Sequence, residues 1–166
     1  MISSIYLRPL CVEDSLISYR WRNDPAIWKY TGNRPNQVIT PEIEEKWLKE
    51  RLDKEDQMRF AICTEENGTY VGNVQLLNIA NGSAELHIFI GEKTFWGRNI
   101  GYEATLQVLK IGFKQHMLSE IYLNVHPDNY AARAIYVKAG FRHTKTLNGF
   151  IQMKIKKNSY LAMKTE

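Results

Sequence analysis

Three patterns follow one another without a break between Ala84 and Gln115: an alternating run, a glycine-bearing loop and a helical repeat. From Ala84 to Ile90, Glu85, His87 and Phe89 fall on one face and Leu86, Ile88 and Ile90 on the other, the period of a half-buried strand. From about Gly101 to Gln115, the residues Ala104, Leu106, Val108, Leu109 and Phe113 recur at helical spacing. The stretch between them, FWGRNIGYEA, enters the helix with no Ser, Thr or Asp at its cap. A helix start leaves about four N–H groups unpaired at the positive end of the dipole, so something else must satisfy them. Phosphate is the usual occupant of such a site. Gly97 and Gly101 clear the approach, Asn99 tolerates positive φ, and Arg98 adds charge. The loop is neither a Gly-Lys-Ser/Thr phosphate loop nor a GxGxxG turn, and alone it suits a ligand-free tight turn equally well.

The flanking sequence predicts one α/β domain over residues 1–166, with no linker, repeat or low-complexity block. A short strand is expected at Ile5–Leu10 and a helix from Glu13 to Trp21, interrupted by Asn23-Asp24-Pro25. Thr40 then caps a second helix with Pro41 at its first position and Glu42, Glu44 and Glu45 toward its positive end. Ile43, Trp47, Leu48 and Leu52 form its expected buried stripe. Strands follow at Met58–Thr64 and Tyr70–Ile79, with a hairpin turn at Asn81-Gly82. Beyond the second long helix come a strand at Glu120–Val125 and a helix from Asn129 to Ala139 closed by Gly140. Final strands are expected at Phe141–Thr146 and Ile151–Met163. Grouped strands followed by alternation indicate a mixed sheet.

Bulk properties narrow the function classes. The net charge of +4 is spread along the chain, with its densest run at Lys154-Ile155-Lys156-Lys157. Nucleic-acid binders concentrate basic and aromatic residues on one face, so no nucleic-acid partner is expected. Cys11 and Cys63 have no metal-site or disulfide spacing, and no metal is expected. The N-terminal residues lack the pattern of a signal peptide and no run reaches membrane-span length, which makes a cytoplasmic protein without membrane contact the expectation.

The segment NVHPDNYAARAIYVKAGF, Asn124 to Phe141, adds a second motif at a fixed distance from the loop. Together, IGEKTFWGRNIGYEA and the set Asn129, Ala132, Tyr136, Lys138, Gly140 and Phe141 resemble the acetyl-CoA-dependent N-acetyltransferase superfamily, GNAT. The opening LRPLCVEDSLISYRWRNDPAIWKYTG is similar to the branch containing ribosomal-protein, polyamine and nucleotide-sugar acetyltransferases. The resemblance implies the GNAT fold: a mostly antiparallel sheet of about seven strands, flanked by helices and splayed between strands 4 and 5.

The resemblance also implies a site. CoA diphosphate would lie on Trp96, Gly97, Arg98, Asn99, Ile100, Gly101 and Tyr102, where Asn99 replaces the usual glycine and is expected to weaken binding without abolishing it. Pantetheine would pair with Phe89, Ile90 and Gly91 and touch Asn129, whose other role is a helix N-cap. Tyr136 would protonate the departing thiolate, since a phenol of ordinary pKa about 10 keeps its proton at neutral pH; its bland role is a packed helix aromatic. Glu85 and His87 are candidates for the base, with His126 a third, while Asn124 stands where some members carry Glu. Direct transfer is implied, with no covalent enzyme intermediate.

The acceptor site of the family is built by early helices and late strands, here supplying Trp21, Arg22, Asn23, Trp28, Tyr30 and Arg34, then Asn148, Phe150 and Gln152. These residues suit an amino sugar, possibly nucleotide-linked, with arginines for its diphosphate. A polyamine or a protein N-terminus is the alternative acceptor. A non-catalytic acyl-CoA-binding or partner-binding module is the alternative of another class. A small-molecule amine and acetyl-CoA are the expected partners of a monomer or homodimer.

Overall fold

A computed structural model describes residues 3–31 and 34–165. Gly32, at the end of the opening stretch quoted above, lies outside them. The strands are β1 Ile5–Pro9, β2 Met58–Thr64, β3 Tyr70–Ala80, β4 Ser83–Ile90, β5 Glu120–Val125, β6 Arg142–Leu147 and β7 Phe150–Lys156. They form one seven-stranded sheet in the order β1-β2-β3-β4-β5-β7-β6. Every neighbouring pair is antiparallel except β4 and β5. The helices are α1 Ser15–Arg22, α2 Pro41–Leu52, α3 Ile100–Lys110, α4 Tyr130–Ala139 and α5 Lys157–Met163.

The parallel pair creates the opening on which the site depends. β4 and β5 pair from Ser83↔Glu120 through Ala84↔Ile121 to Glu85↔Tyr122, and the paired register ends there. His87 to Ile90 therefore run on beside β5 without pairing to it.

Alternation along the strands assigns the two faces. Ala84 and Leu86 on β4, with Ile121, Leu123 and Val125 on β5, join Val108, Leu109, Phe113 and Tyr136 in the larger core. On the opposite face Ala61, Cys63 and Tyr70 pack with Trp21 of α1 and Leu48 of α2 in a smaller cluster. Glu85 and His87 face that second side.

Local chemistry explains the element ends. Thr40 Oγ1 accepts from Ile43 N–H at 3.2 Å, with Pro41 at the first helical position. Thr40→Ala is expected to cost about 1 kcal/mol and lower Tm by about 2–4 °C, measured by thermal denaturation; an unchanged Tm would show the cap to be idle. At the β3–β4 hairpin, Asn81 and Gly82 take φ of 53° and 75°, the positive pair that a two-residue turn matching strand twist requires.

Two expectations need correction. Ile151–Met163 is not one strand: β7 stops at Lys156 and α5 follows. Lys156 pairs with Glu120, the first residue of β5, so the chain beyond it has no neighbouring strand. The turn into helix instead brings Tyr160 onto Phe113, with ring centroids 5.0 Å apart. On α2 the buried stripe is Glu44 and Leu48, with Ile43, Trp47 and Leu52 only half-buried. Glu44 therefore serves less as a dipole charge than as a buried partner, accepting from Ser18 Oγ at 2.9 Å and Arg22 Nη1 at 3.2 Å.

Candidate active site

The loop before α3 has the conformation that the sequence requires. Asn99 sits at the N-cap with φ 66° and ψ 8°, the left-handed geometry a glycine would take, and its side chain makes no cap bond. Its Nδ2 reaches back to Glu103 Oε1 at 3.2 Å. Ile100, Gly101 and Tyr102 lie in the first turn, where a helix leaves its N–H groups without internal partners. Gly97, at φ 75°, has no atom within 4 Å of where a Cβ would stand. Arg98 lies over the Phe95 ring at 4.8 Å. These features fit an anion approaching the helix end.

At the splay the backbone is more selective than expected. Gly91 and Glu92 both donate to Val71 O, at 2.8 and 3.1 Å, and Phe89 pairs with Asn73. In an antiparallel ladder alternate residues turn their N–H and C=O groups outward. With Gly91 and Phe89 bound to β3, Ile88 and Ile90 are the residues that address the opening. The Ile90 carbonyl already accepts from Trp96 Nε1 at 2.9 Å. Of the expected trio Phe89, Ile90 and Gly91, only Ile90 turns its backbone outward, and Ile88 joins it.

Asn129 caps α4, its Oδ1 accepting from Ala132 N–H at 3.3 Å. The bond uses the carbonyl and leaves the amide donors to other partners. Tyr136, two turns along, is 8% exposed and stands edge-on to Phe141 at 5.8 Å. Burial pushes its hydroxyl well above the ordinary phenol range.

On the other face, Glu85 and His87 form one unit. His87 Nε2 lies 3.0 Å from Glu85 Oε1. Asn124 Nδ2 donates to the same oxygen at 3.1 Å, and Asn78 Nδ2 donates to Oε2 at 3.0 Å. These bonds, led by the one from His87, hold the Glu85 carboxyl below the usual carboxylate range against the opposing effect of burial. Sequence reasoning missed Asn78, whose signal was only an Asn near a hairpin, and gave Asn124 no role beyond the absence of Glu.

The expected acceptor residues separate into walls and floor. Trp21 is a core residue, 3% exposed, packed on Tyr70 and Phe89 at 4.7 and 6.0 Å. Asn23 is a backbone clamp, exchanging bonds of 2.8 Å with Ile39 O and N. Burial turns Trp21 away from a direct substrate contact, while Asn23 is exposed and keeps its place at the pocket rim. Arg22 lies over Trp47 at 4.7 Å, with Arg51 and Arg59 at 5.4 and 5.1 Å around the same ring. Burial, then repulsion from Arg51 and Arg22, lowers Arg59 to about 10. Trp28 packs on Phe89 at 5.6 Å, and with Arg22, Asn23 and Arg34 it lines a pocket of about 490 Å³. His126 stands between Tyr30 and Phe150, at 5.6 and 5.8 Å. A larger groove of about 800 Å³ runs between α4 and β6, away from these residues. Among the described residues no cluster of His, Cys, Asp or Glu suits a metal, and no helix is long and apolar enough to cross a membrane.

Residues 4–142 match the acetyltransferase (GNAT) domain family. This chain is a GNAT acetyltransferase. It is 30% identical to a probable N-acetyltransferase, YjcK, of Bacillus subtilis, over 83% of this chain and 80% of that protein. A spermidine N(1)-acetyltransferase of Thermoplasma acidophilum is 26% identical over 84% of this chain and 89% of its own length. An uncharacterized protein of Methanocaldococcus jannaschii, MJ1062, is also 26% identical, over 86% of this chain, but the match spans only 29% of that longer protein. The fold superposes on spermidine N-acetyltransferase from Vibrio cholerae, in complex with CoA and spermine, with a TM-score of 0.84. That alignment covers 95% of this chain and 98% of the other at 23% identity. As a member of the family the protein is an N-acetyltransferase, and acetyl-CoA is its co-substrate.

Proposed function

We propose that this acetyltransferase acts on a primary amine of a small molecule, by direct transfer at the splay between β4 and β5. The amine nitrogen bonds to the acetyl carbonyl carbon and loses its surplus proton to solvent, by way of water or the Glu85–His87 unit; the carbon–sulfur bond breaks, Tyr136 gives its hydroxyl proton to the departing sulfur, and the phenolate takes a proton back from solvent. Trp96 to Tyr102 hold the diphosphate, Ile88 and Ile90 pair with the pantetheine arm, and Asn129 bonds it. Tyr136 and the Glu85–His87 unit flank the opening from opposite faces of the sheet, which supports an acid on one side and an acceptor on the other.

The acceptor class best supported is a polyamine, because a named relative matching most of this chain acts on spermidine. The amino sugar favoured by the sequence alone has less support from the relatives. One observation keeps a nucleotide-linked amino sugar as the second reading: three arginines surround Trp47, with Glu44 paired to one of them. Polyamines call for carboxylates, whereas this wall suits an anion.

CoA release is to be followed with spermidine, a nucleoside-diphosphate amino sugar and an N-terminal peptide under identical conditions. Spermidine is expected to give the highest kcat/KM. Preference for the amino sugar, weakened by Arg59→Gln, would overturn the polyamine reading. Turnover of the peptide alone would overturn both.

A further inference from the structure

Three positive charges meet on one side chain, and only one of them has a carboxylate partner. The guanidinium carbons of Arg22, Arg59 and Arg51 lie 4.7, 5.1 and 5.4 Å from the centre of the Trp47 ring. Arg22 is paired to Glu44 Oε2 at 3.2 Å, while Ser18 Oγ donates to the other oxygen of that carboxylate. Arg59 has one neutral acceptor, Gln57 Oε1, 3.0 Å from its Nε. The side chain of Arg51 has no hydrogen bond or ion pair among the described residues, although Glu50, Asp53, Glu55 and Asp56 flank it in sequence. Trp47 and the three arginines are all half-buried.

One guanidinium stacked on an aromatic face is an ordinary contact. Three on one ring with one carboxylate leave two charges unbalanced where water screens them poorly. Burial, and then the charges of Arg51 and Arg22, act against the ionised form of Arg59 more than Glu44 supports it. An anion is what this cluster lacks. Planar guanidinium forks with free N–H groups suit a phosphate, which they hold by two bonds at once.

The cluster borders the acceptor pocket. Arg22 also lies 6.0 Å from the Trp28 ring, and with Trp28 and Arg34 it lines the 490 Å³ pocket. Across the sheet, Arg59 on β2 stands opposite Gln75 on β3, and Gln75 opposite His87 on β4, two residues beyond the end of the β4–β5 pairing. Residues directly opposite share a face, so two strand spacings, about 10 Å, separate Arg59 from the splay.

We propose that Arg51 and Arg59, joined to the acceptor pocket by Arg22, bind a phosphate group against Trp47, and that this phosphate governs which amines reach the splay. The kinetic half rests on the acetyltransferase reading; the binding half does not. The unbalanced wall repels a polyamine, whose charges are all positive, and a phosphate dianion cancels that field. The phosphate has two sources: free in solution, or carried by the acceptor about 10 Å from its amine.

Thermal denaturation and calorimetry with inorganic phosphate, at an ionic strength held constant with chloride, test the binding. Phosphate at about 100 times its Kd is expected to raise Tm by about 5 °C or more. Arg51→Gln removes an unbalanced charge, so its phosphate-free Tm stays at or above that of wild type and the phosphate shift disappears. Arg59→Lys keeps the charge without the fork and weakens phosphate binding about tenfold. In CoA-release assays, phosphate lowers the KM for spermidine several-fold, and Arg51→Gln has the lower KM without it. If the phosphate is the acceptor's own, free phosphate instead raises the KM for a nucleoside-diphosphate amino sugar. A Tm and a titration indifferent to phosphate overturn the site while the enzyme reading stands. A phosphate-free Tm of Arg51→Gln below wild type also overturns it, returning the cluster to packing of arginines on a tryptophan. Phosphate that binds and alters the KM of neither amine overturns the link to the acceptor. A chain that binds acetyl-CoA and acetylates no amine overturns the enzyme reading, whatever the Tm result.

Discussion

Tyr136→Phe is expected to lower kcat by about 10²-fold or more while acetyl-CoA affinity and Tm stay close to wild type. The ring is 8% exposed and packed edge-on to Phe141, so phenylalanine fills the same space and loses only the hydroxyl. Burial raises the phenol above its ordinary range, which means that it enters each turnover fully protonated. A raised pKa makes the hydroxyl a weaker acid toward water, but in the proposed role the departing thiolate would be desolvated as well. In a low-dielectric site a hydrogen bond to a developing anion is stronger than in water. The effect belongs in kcat, because the sulfur carries charge only as the carbon–sulfur bond breaks. Steady-state kinetics with a saturating amine, beside calorimetry with acetyl-CoA, separate the two. An unchanged kcat would return Tyr136 to the role of a packed helix aromatic.

The parts of this fold legible in the sequence are those that short-range chemistry decides. Thr40-Pro41, Asn81-Gly82 and Asn129 with Gly140 each act within a few residues, and all four form the caps or turns expected of them. The splay was also legible, but only through the family's motifs, since no local pattern says where a parallel pair stops. What escaped is long-range. Glu44 looked like a first-turn acid because nothing nearby reveals Ser18 and Arg22, which lie 26 and 22 residues away. Trp21 looked like a substrate contact because an aromatic near a helix end has the same signature whether it meets ligand or protein. Trp21 in fact donates to Glu92, 71 residues on. Gln75 Oε1, a buried oxygen without a hydrogen-bond partner among the described residues, is likewise visible only once β2 and β4 are set on either side of it.

That same tryptophan makes Gly91→Ala the substitution with the largest expected effect on stability. A Cβ at Gly91 would lie 2.0 Å from Trp21 Cδ2 and 2.4 Å from both Cε2 and Cγ. Neither partner has room to yield. Trp21 is held by Tyr70 and Phe89, by its own indole bond to Glu92 Oε1 at 3.0 Å, and by Trp28, whose Nε1 donates to its carbonyl at 3.0 Å. Gly91 is tied to Val71 O at 2.8 Å. Overpacking of this kind costs 1–3 kcal/mol and sometimes more; with both sides fixed, about 3 kcal/mol is expected, a fall in Tm of about 6–12 °C. Gly97→Ala supplies the contrast, since its Cβ meets nothing within 4 Å and only the positive φ of 75° is strained. That strain is worth about 1–2 kcal/mol. Thermal denaturation should therefore rank Gly91→Ala well below Gly97→Ala. Displacing Trp21 also disturbs Trp28 and Phe89, so the amine KM of Gly91→Ala should rise while that of Gly97→Ala holds. A Gly91→Ala protein as stable as wild type would mean that the strand and the tryptophan are not packed face to face, and the acceptor wall built on that contact would have to be redrawn.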